Sequence, residues 1–261
     1  MIVASHTVTD PCRCPYLPDQ RNTMEHVVVR SMSTLEYEQL LQSGWRKFGR
    51  LLYRPICDDC EECRSTRIHI PSFSPNRSQS RCLNRNADLR IEVGQPTIDT
   101  PRMDIYHRYH VAREADRGWH RSDHSIDGYS DAFLDNPTQS IELSVWLEET
   151  LLGIALLDIT GNIVSGVYHY HDPVYADRSL GKFMMLKVIR LGELMNRTWA
   201  HFGYHVAGCG SLRYKTTFRP VGILGRDGVW RLPDTDGNYD PDGEEDHNAW
   251  VTFSGDEEAD T

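Results

Sequence analysis

The sequence predicts a mixed α/β sheet carrying an amphipathic helix, an α+β architecture with a cysteine-rich module ahead of it. Ile141 to Leu147, Leu151 to Ile159 and Asn162 to His171 read as three successive strands, the first by apolar–polar alternation and the others by their apolar, β-branched and aromatic content. A helical repeat then runs from about Ser179 to Asn196 and gives way to a further strand-like stretch, Trp199 to Val206. Strands, a helix and another strand in that order lay the helix across a sheet rather than in a bundle. The chain has 261 residues, 39% of them apolar. A chain of that length buries roughly three quarters of its unfolded surface.

Residues 1–95 form the first region. They are rich in Cys, Arg and Pro and end at Gly94-Gln95-Pro96-Thr97 to Pro101, which reads as a linker. Residues 96–231 form the second. Its pattern becomes helical from Met103, where Tyr106, Tyr109, His110 and Arg113 recur at three- and four-residue spacing, and a polar connection runs from Arg117 to Gly128. The three strands follow, and Asp172-Pro173 ends the last of them. In the helix beyond, Leu180, Phe183, Met184, Val188, Leu191 and Met195 fall on one face, with Ser179 as N-cap. Residues 232–261 are acidic and rich in Gly and Asp; they read as a mobile tail that Tyr239, Trp250 and Phe253 anchor in part.

Lys and Arg number 28 and Asp and Glu 38, a net charge of −10 that taken alone argues against a polyanionic partner. The distribution changes the inference. Residues 232–261 hold eleven acids and no Lys or Arg, so residues 1–231 carry +1. Between Arg64 and Arg90, six arginines (64, 67, 77, 81, 85 and 90) meet one acid, Asp88. Two readings stand: a patch for RNA phosphate, or a solvated loop whose arginines pair with the acidic tail. No apolar stretch approaches the ~18 residues of a transmembrane helix, and the first thirty residues lack a signal-peptide run. The expectation is a cytoplasmic protein that does not engage a membrane.

Cys57-Asp58-Asp59-Cys60-Glu61-Glu62-Cys63 is a C-x₂-C-x₂-C run. Four carboxylates between the thiols argue against a buried helix face, and in a chain with no secretion signal the spacing favours metal over disulfides. Tetrahedral Zn²⁺ and iron–sulfur clusters both usually take four soft ligands. Cys57, Cys60 and Cys63 supply three, and Cys14 is the candidate for the fourth, with Cys12 as substitute. Cys82 and Cys209 read as plain thiols.

Arg178-Ser179-Leu180-Gly181-Lys182-Phe183 opens the long helix after a strand, where free N–H groups suit an anion. Strand, R-x-x-G loop and helix resemble the acyl-CoA N-acetyltransferase (GNAT) fold. Phe183 departs from that pattern, standing where a small residue would let a pyrophosphate approach the backbone.

Seven segments occur in one order: Cys14-Pro15-Tyr16-Leu17-Pro18, Tyr53-Arg54-Pro55, Arg67-Ile68, Arg85-Asn86-Ala87-Asp88-Leu89, Tyr168 to Pro173, Arg178-Ser179-Leu180-Gly181, and Tyr214-Lys215-Thr216-Thr217-Phe218-Arg219-Pro220. The set resembles the aminoacyl-tRNA–protein transferases over about Cys12 to Leu224. It is most similar to the bacterial branch, which moves leucine from leucyl-tRNA onto proteins beginning with Asp or Glu and so marks them for N-degron degradation. The arginyltransferase branch, which uses arginyl-tRNA, generally opens with a C-x-x-C pair where this chain has Cys12-Arg13-Cys14. The resemblance implies an acetyltransferase-like sheet in which a tRNA 3′ end presents the acyl group, with no cofactor required for the chemistry. It implies catalytic roles for Tyr168, Tyr170, Arg178, Tyr214 and Lys215. Substrate contacts would come from Arg178, Ser179, Lys215 and Arg219, with Arg178 or Lys215 reading the acceptor's carboxylate. Arg64, Arg67, Arg77, Arg81 and Arg85 would hold the tRNA. Strand alternation puts Tyr168 and Tyr170 on one face and His169 and His171 on the other. A CoA-dependent N-acetyltransferase and a non-catalytic, metal-stabilised RNA-binding module are the rival classes.

Overall fold

The computed structural model describes residues 1–117 and 124–246. Strand β1 (Ile2–Val8) precedes a small hairpin, β2 (Cys12–Arg13) with β3 (Arg21–Asn22). Then come β4 (Met24–Ser31), helix α1 (Thr34–Gln42), β5 (Arg46–Phe48) and β6 (Leu51–Pro55); a four-stranded antiparallel sheet runs β1-β4-β6-β5. Helix α1 begins at a reciprocal cap. The Ser33 hydroxyl accepts from the Glu36 N–H at 3.2 Å, and the Ser33 N–H donates to the Glu36 carboxylate at 2.8 Å. Tyr37 and Leu41 of α1 bury with Val29, Trp45 and Leu52, and also with Ile163 and Trp199 further along the chain.

The remaining elements are β7 (Arg64–His69), α2 (Arg77–Arg85), β8 (Arg90–Gly94), α3 (Thr100–Arg117), α4 (Ile126–Phe133), β9 (Ser140–Leu147), β10 (Thr150–Ile159), β11 (Ile163–His171), α5 (Leu180–Leu194), β12 (Trp199–His205), the one-turn α6 (Gly210–Arg213), β13 (Val221–Leu224) and β14 (Trp230–Arg231). Eight strands make one sheet in the order β14-β13-β7-β12-β11-β10-β9-β8. Every neighbouring pair is antiparallel except β11 with β12, because α5 is the crossover between those two. The apolar face of α5 packs on the sheet through Leu180, Phe183, Met184 and Val188 against Leu143, Leu152, Val164 and Ala200. Helices α3 and α4 cover the other face, with Ile105, Tyr106, Tyr129 and Phe133 against Ile154, Leu156 and Tyr170.

The mixed sheet and its crossover helix are the fold the sequence pattern predicts, with element ends within a residue or two. The expected division at residue 95 is not a break in the structure. β7 is an inner strand of the large sheet and β8 its edge, so the sheet draws on both sides of that boundary. Arginines at 64 and 67 mask the strand character of β7. The acidic segment also differs from a mobile tail as far as Asp246. The Leu232 N–H donates to the Glu244 carbonyl at 2.9 Å and the Asp246 N–H to the Trp230 carbonyl at 2.8 Å, folding the segment back on β14. Tyr239 anchors it as expected, its ring lying 3.8 Å from the Arg64 guanidinium carbon. Trp250 and Phe253 lie outside the described residues. No helix among the described residues is long and apolar enough to cross a membrane.

Candidate active site

The parallel pair β11–β12 holds register for only three residues, Ile163↔Trp199, Val164↔Ala200 and Ser165↔His201, and then parts. Both strands carry irregularities where they separate. β11 shifts register against β10 between Gly166 and Tyr168, and β12 bulges against β7 between His201 and Tyr204, with Gly203 at φ +78°. An extra residue in one strand bends it away from its partner, so two bulges at one level open a wedge in the sheet. The Gly166 carbonyl is taken by a side chain instead of a strand: Arg46 of β5 donates to it at 2.5 Å.

Helix α5 starts beside this wedge. Ser179 occupies the N-cap position in the left-handed region (φ 55°), and its hydroxyl makes no capping bond, contrary to the expected cap. The first-turn N–H groups of such a helix point outward with the positive end of its dipole. His169 and His171 face this turn: a Cβ placed on Gly181 would lie 3.4 Å from His169 Nε2 and 3.9 Å from His171 Nε2. Burial, reinforced by His171, Lys215 and Arg113, pushes the His169 imidazole down to about 3. Burial likewise pushes His171 down to about 4. Both rings are therefore neutral near pH 7, each with one donor and one acceptor nitrogen. Phe183 is fully buried in the core, where truncation to Ala would cost ~3–5 kcal/mol, and its presence at a pyrophosphate-loop position has a packing cause.

Lys215 lies in the 3₁₀ turn Tyr214–Thr217 after α6 and donates to the Tyr204 carbonyl at 2.7 Å. Burial, and then the positive charge of Arg46, push its ammonium down to about 7. The other expected residues divide. Arg178 is held in a two-point ion pair with Asp88, at 2.9 and 3.0 Å, and so is not an open carboxylate reader. The Tyr170 hydroxyl meets that of Tyr129 at 2.9 Å inside the core, and the Tyr168 hydroxyl meets His110 Nε2 at 3.0 Å. Period-two alternation sends both tyrosines to the α3/α4 face, away from the start of α5, so neither stands with the histidines. Tyr214 packs against the core under α5. Arg219 is exposed and donates to the Thr235 carbonyl at 3.3 Å, tying down the acidic segment.

The arginine-rich stretch also divides. Arg77, Arg81 and Arg85 recur every four residues on α2 and form one exposed row, with Gln79 and Cys82 buried beneath. Helix α2 packs on α5, and Lys182 near the start of α5 reaches Ser78 of α2 at 3.4 Å. Arg67 is 1% exposed, lies over Trp199 and Trp230 at 4.0 and 4.4 Å, and pairs with Asp246 at 2.8 Å. Arg64 pairs with Glu61 at 2.7 Å and covers Tyr239. Arg67 thus pairs with the acidic segment, and Arg64 touches that segment through Tyr239 alone; of the α2 arginines, Arg85 also donates to the Asp177 carbonyl.

Cys14, Cys57, Cys60 and Cys63 line one cavity of about 700 Å³; Cys12 is exposed and outside it. Backbone N–H groups of Tyr16 and Thr23 point at the sulfurs of Cys14 and Cys57, each at 3.5 Å. Burial, with Cys14, Cys57 and Cys60 as electronegative neighbours, pushes the Cys63 thiol up to about 12. Sulfurs gathered in low dielectric with N–H donors aimed at them suit a cation that would stabilise the thiolates. As they stand, no three His, Cys, Asp or Glu side chains among the described residues are grouped closely enough to hold a metal ion. Cys209, far along the sequence, shares this neighbourhood: its charge acts on Tyr16 together with those of Cys63 and Cys14. Arg46, His169 and Cys209 are the site residues hardest to find from sequence, since only the wedge brings them near Lys215.

Two models of one family match the chain, "Arginine-tRNA-protein transferase, N terminus" over residues 12–81 and "Arginine-tRNA-protein transferase, C terminus" over residues 101–225. The aspartate/glutamate leucyltransferase of Campylobacter jejuni subsp. jejuni serotype O:6 is 34% identical over 213 residues, 81% of this chain and 89% of that protein. That of Pseudomonas aeruginosa (strain LESB58) is 34% identical over 217 residues, 83% of this chain and 92% of that protein. Among solved structures, FemX aligns at TM-score 0.44 and 10% identity, covering 77% of this chain and 79% of that one. The C-terminal domain of a putative lysylphosphatidylglycerol synthetase from Agrobacterium fabrum aligns at TM-score 0.42 and 11% identity, covering 56% of this chain and 47% of that one. With both halves matched in order and near-complete relatives a third identical, the chain belongs to the aminoacyl-tRNA–protein transferase family.

Proposed function

We propose that this protein transfers leucine from leucyl-tRNA to the N-terminal α-amine of proteins beginning with Asp or Glu, marking them for N-degron degradation. The observation that carries the reading is the wedge itself, which sets Lys215, its ammonium on the Tyr204 carbonyl, beside His169 and the start of α5. The acceptor's ammonium loses one proton, and its nitrogen attacks the ester carbonyl. The new C–N bond replaces the bond to the ribose oxygen, which takes the second amine proton and leaves as tRNA. An aminoacyl ester is already activated, so most of the acceleration comes from holding amine and carbonyl in attack geometry, worth ~7–11 kcal/mol at best. Neutral His169 accepts a hydrogen bond from the amine. The α2 arginines hold the tRNA backbone, which places its 3′ end against α5 without any need for a pyrophosphate loop.

Radiolabelled leucyl-tRNA and arginyl-tRNA, each incubated with peptides beginning Asp, Glu or Ala, test the reading. Label from leucyl-tRNA on the Asp and Glu peptides alone is expected; label from arginyl-tRNA alone would reassign the donor, and no label would overturn the reading. Cys14, Cys57, Cys60 and Cys63 would hold a Zn²⁺ ion or an iron–sulfur cluster with a structural or regulatory task, tying the chain's start to the 57–63 loop. Elemental analysis checks this, and equal metal content in wild type and Cys57→Ser would reject it.

A further inference from the structure

Arg46 is 5% exposed, yet among the described residues its guanidinium donates to the Gly166 carbonyl and pairs with no Asp or Glu. Other buried cations of this protein are matched: Lys47 with Asp158 at 3.2 Å and Arg67 with Asp246 at 2.8 Å. A buried charge without a counter-ion is costly and points to an anion that comes from outside. Lys215 has the same character, with the thiols of Cys209 and Cys63 as its nearest acidic neighbours. Both side chains converge on Gly203. A Cβ built there would lie 3.7 Å from Arg46 Nε, 3.7 Å from Arg46 Nη2 and 3.7 Å from Lys215 Nζ. The absent side chain thus leaves a cradle flanked on two sides by cations.

We propose that Arg46 and Lys215 together seat the carboxylate of the acceptor's first residue, in the cradle left open at Gly203. This rests on the transferase reading above and names the residues that make it selective for acidic acceptors. Arg46 is pinned by the Gly166 carbonyl and offers a planar fork of fixed position. Lys215 moves on a four-carbon stem, which absorbs the one methylene that separates Asp from Glu. A carboxylate fits better than a tRNA phosphate, because the exposed arginines suited to phosphate lie on α2, while Arg46 is almost wholly enclosed.

Two measurements on the whole protein test this. In the first, wild type is heated with Asp-Ala or with Asn-Ala and no tRNA. Asp-Ala is expected to raise Tm and Asn-Ala to leave it unmoved; equal responses overturn the proposal whatever the transfer assay shows. In the second, Arg46→Gln and Arg46→Lys are compared with wild type for KM toward Asp and Asn peptides and toward leucyl-tRNA. Arg46→Gln is expected to raise the Asp-peptide KM at least tenfold, to abolish the preference for Asp over Asn, and to leave the leucyl-tRNA KM within twofold. Arg46→Lys should recover part of that preference. A raised leucyl-tRNA KM with an intact Asp preference would give the pair to phosphate and sink the proposal. If Arg46→Gln fails to fold, the dipeptide experiment on wild type decides alone. If wild type transfers no amino acid yet is protected by Asp-Ala and not by Asn-Ala, the transferase reading fails while Arg46 and Lys215 remain a carboxylate seat.

Discussion

Lys215 is a cation whose charge depends on pH within the working range. Its ammonium, lowered to about 7 by burial and by Arg46, is charged below that value and neutral above it. The groups around it are Arg46 of β5, His169 of β11, His205 of β12, and the thiols of Cys63 and Cys209. An acidic acceptor binds the charged form, so its kcat/KM falls on the alkaline side of about pH 7, while loss of the acceptor's own amine proton, with a pKa of about 7.7–8.0, favours attack as pH rises. The expected profile is bell-shaped. Lys215→Arg, a permanent cation, should remove the alkaline limb, and an unchanged limb would assign it elsewhere. Lys215→Met should raise the acidic-acceptor KM roughly 10- to 150-fold, the loss of one charge-assisted hydrogen bond. Lys215 was legible in the sequence because it sits in a motif with family precedent. Arg46 was not: nothing in the order of residues announces that a side chain of the small sheet will plug a gap in the large one.

Helix α2 and strand β11 show where periodicity predicts and where it misleads. The three arginines of α2 repeat every four residues, and their shared exposed face follows from helix geometry alone. Replacing Arg77, Arg81 and Arg85 by Gln should flatten the dependence of log affinity for leucyl-tRNA on log salt by about 2–3 units, as expected when that many phosphate contacts go. A slope equal to wild type across a salt series would exclude the row from the interface. In β11 the same alternation separates tyrosines from histidines, and the tyrosines lie on the α3/α4 face. Which face of a strand meets the site depends on where the crossover helix lies, and strand alternation carries no such information. Ser179 stands at the N-cap as expected, but its capping bond is absent for a related reason. Backbone geometry imposed by the turn after Asp172, with φ 55° at Ser179, overrode the residue's preference as a cap.

Across the whole molecule, the part of the acidic segment up to Asp246 is a structural clamp. Asp246→Ala strands a nearly inaccessible guanidinium between two indoles, a loss of ~3–5 kcal/mol that should lower Tm by roughly 6–12 °C. Equal melting of Asp246→Ala and wild type would show that the clamp contributes nothing. Charge counting locates the arginine surplus and the acidic segment, but only topology decides that Arg67 turns inward to Asp246 while Arg81 faces water. The short ladder between β11 and β12 has an evolutionary corollary. A lineage drifting toward another acceptor can exchange the imidazoles of His169 and His171 one at a time. Positions 46 and 215 are different, since a replacement there must also quench the oxygen of Gly166 or of Tyr204; retraining this scaffold for new protein termini is open at the imidazoles and constrained at the two cations.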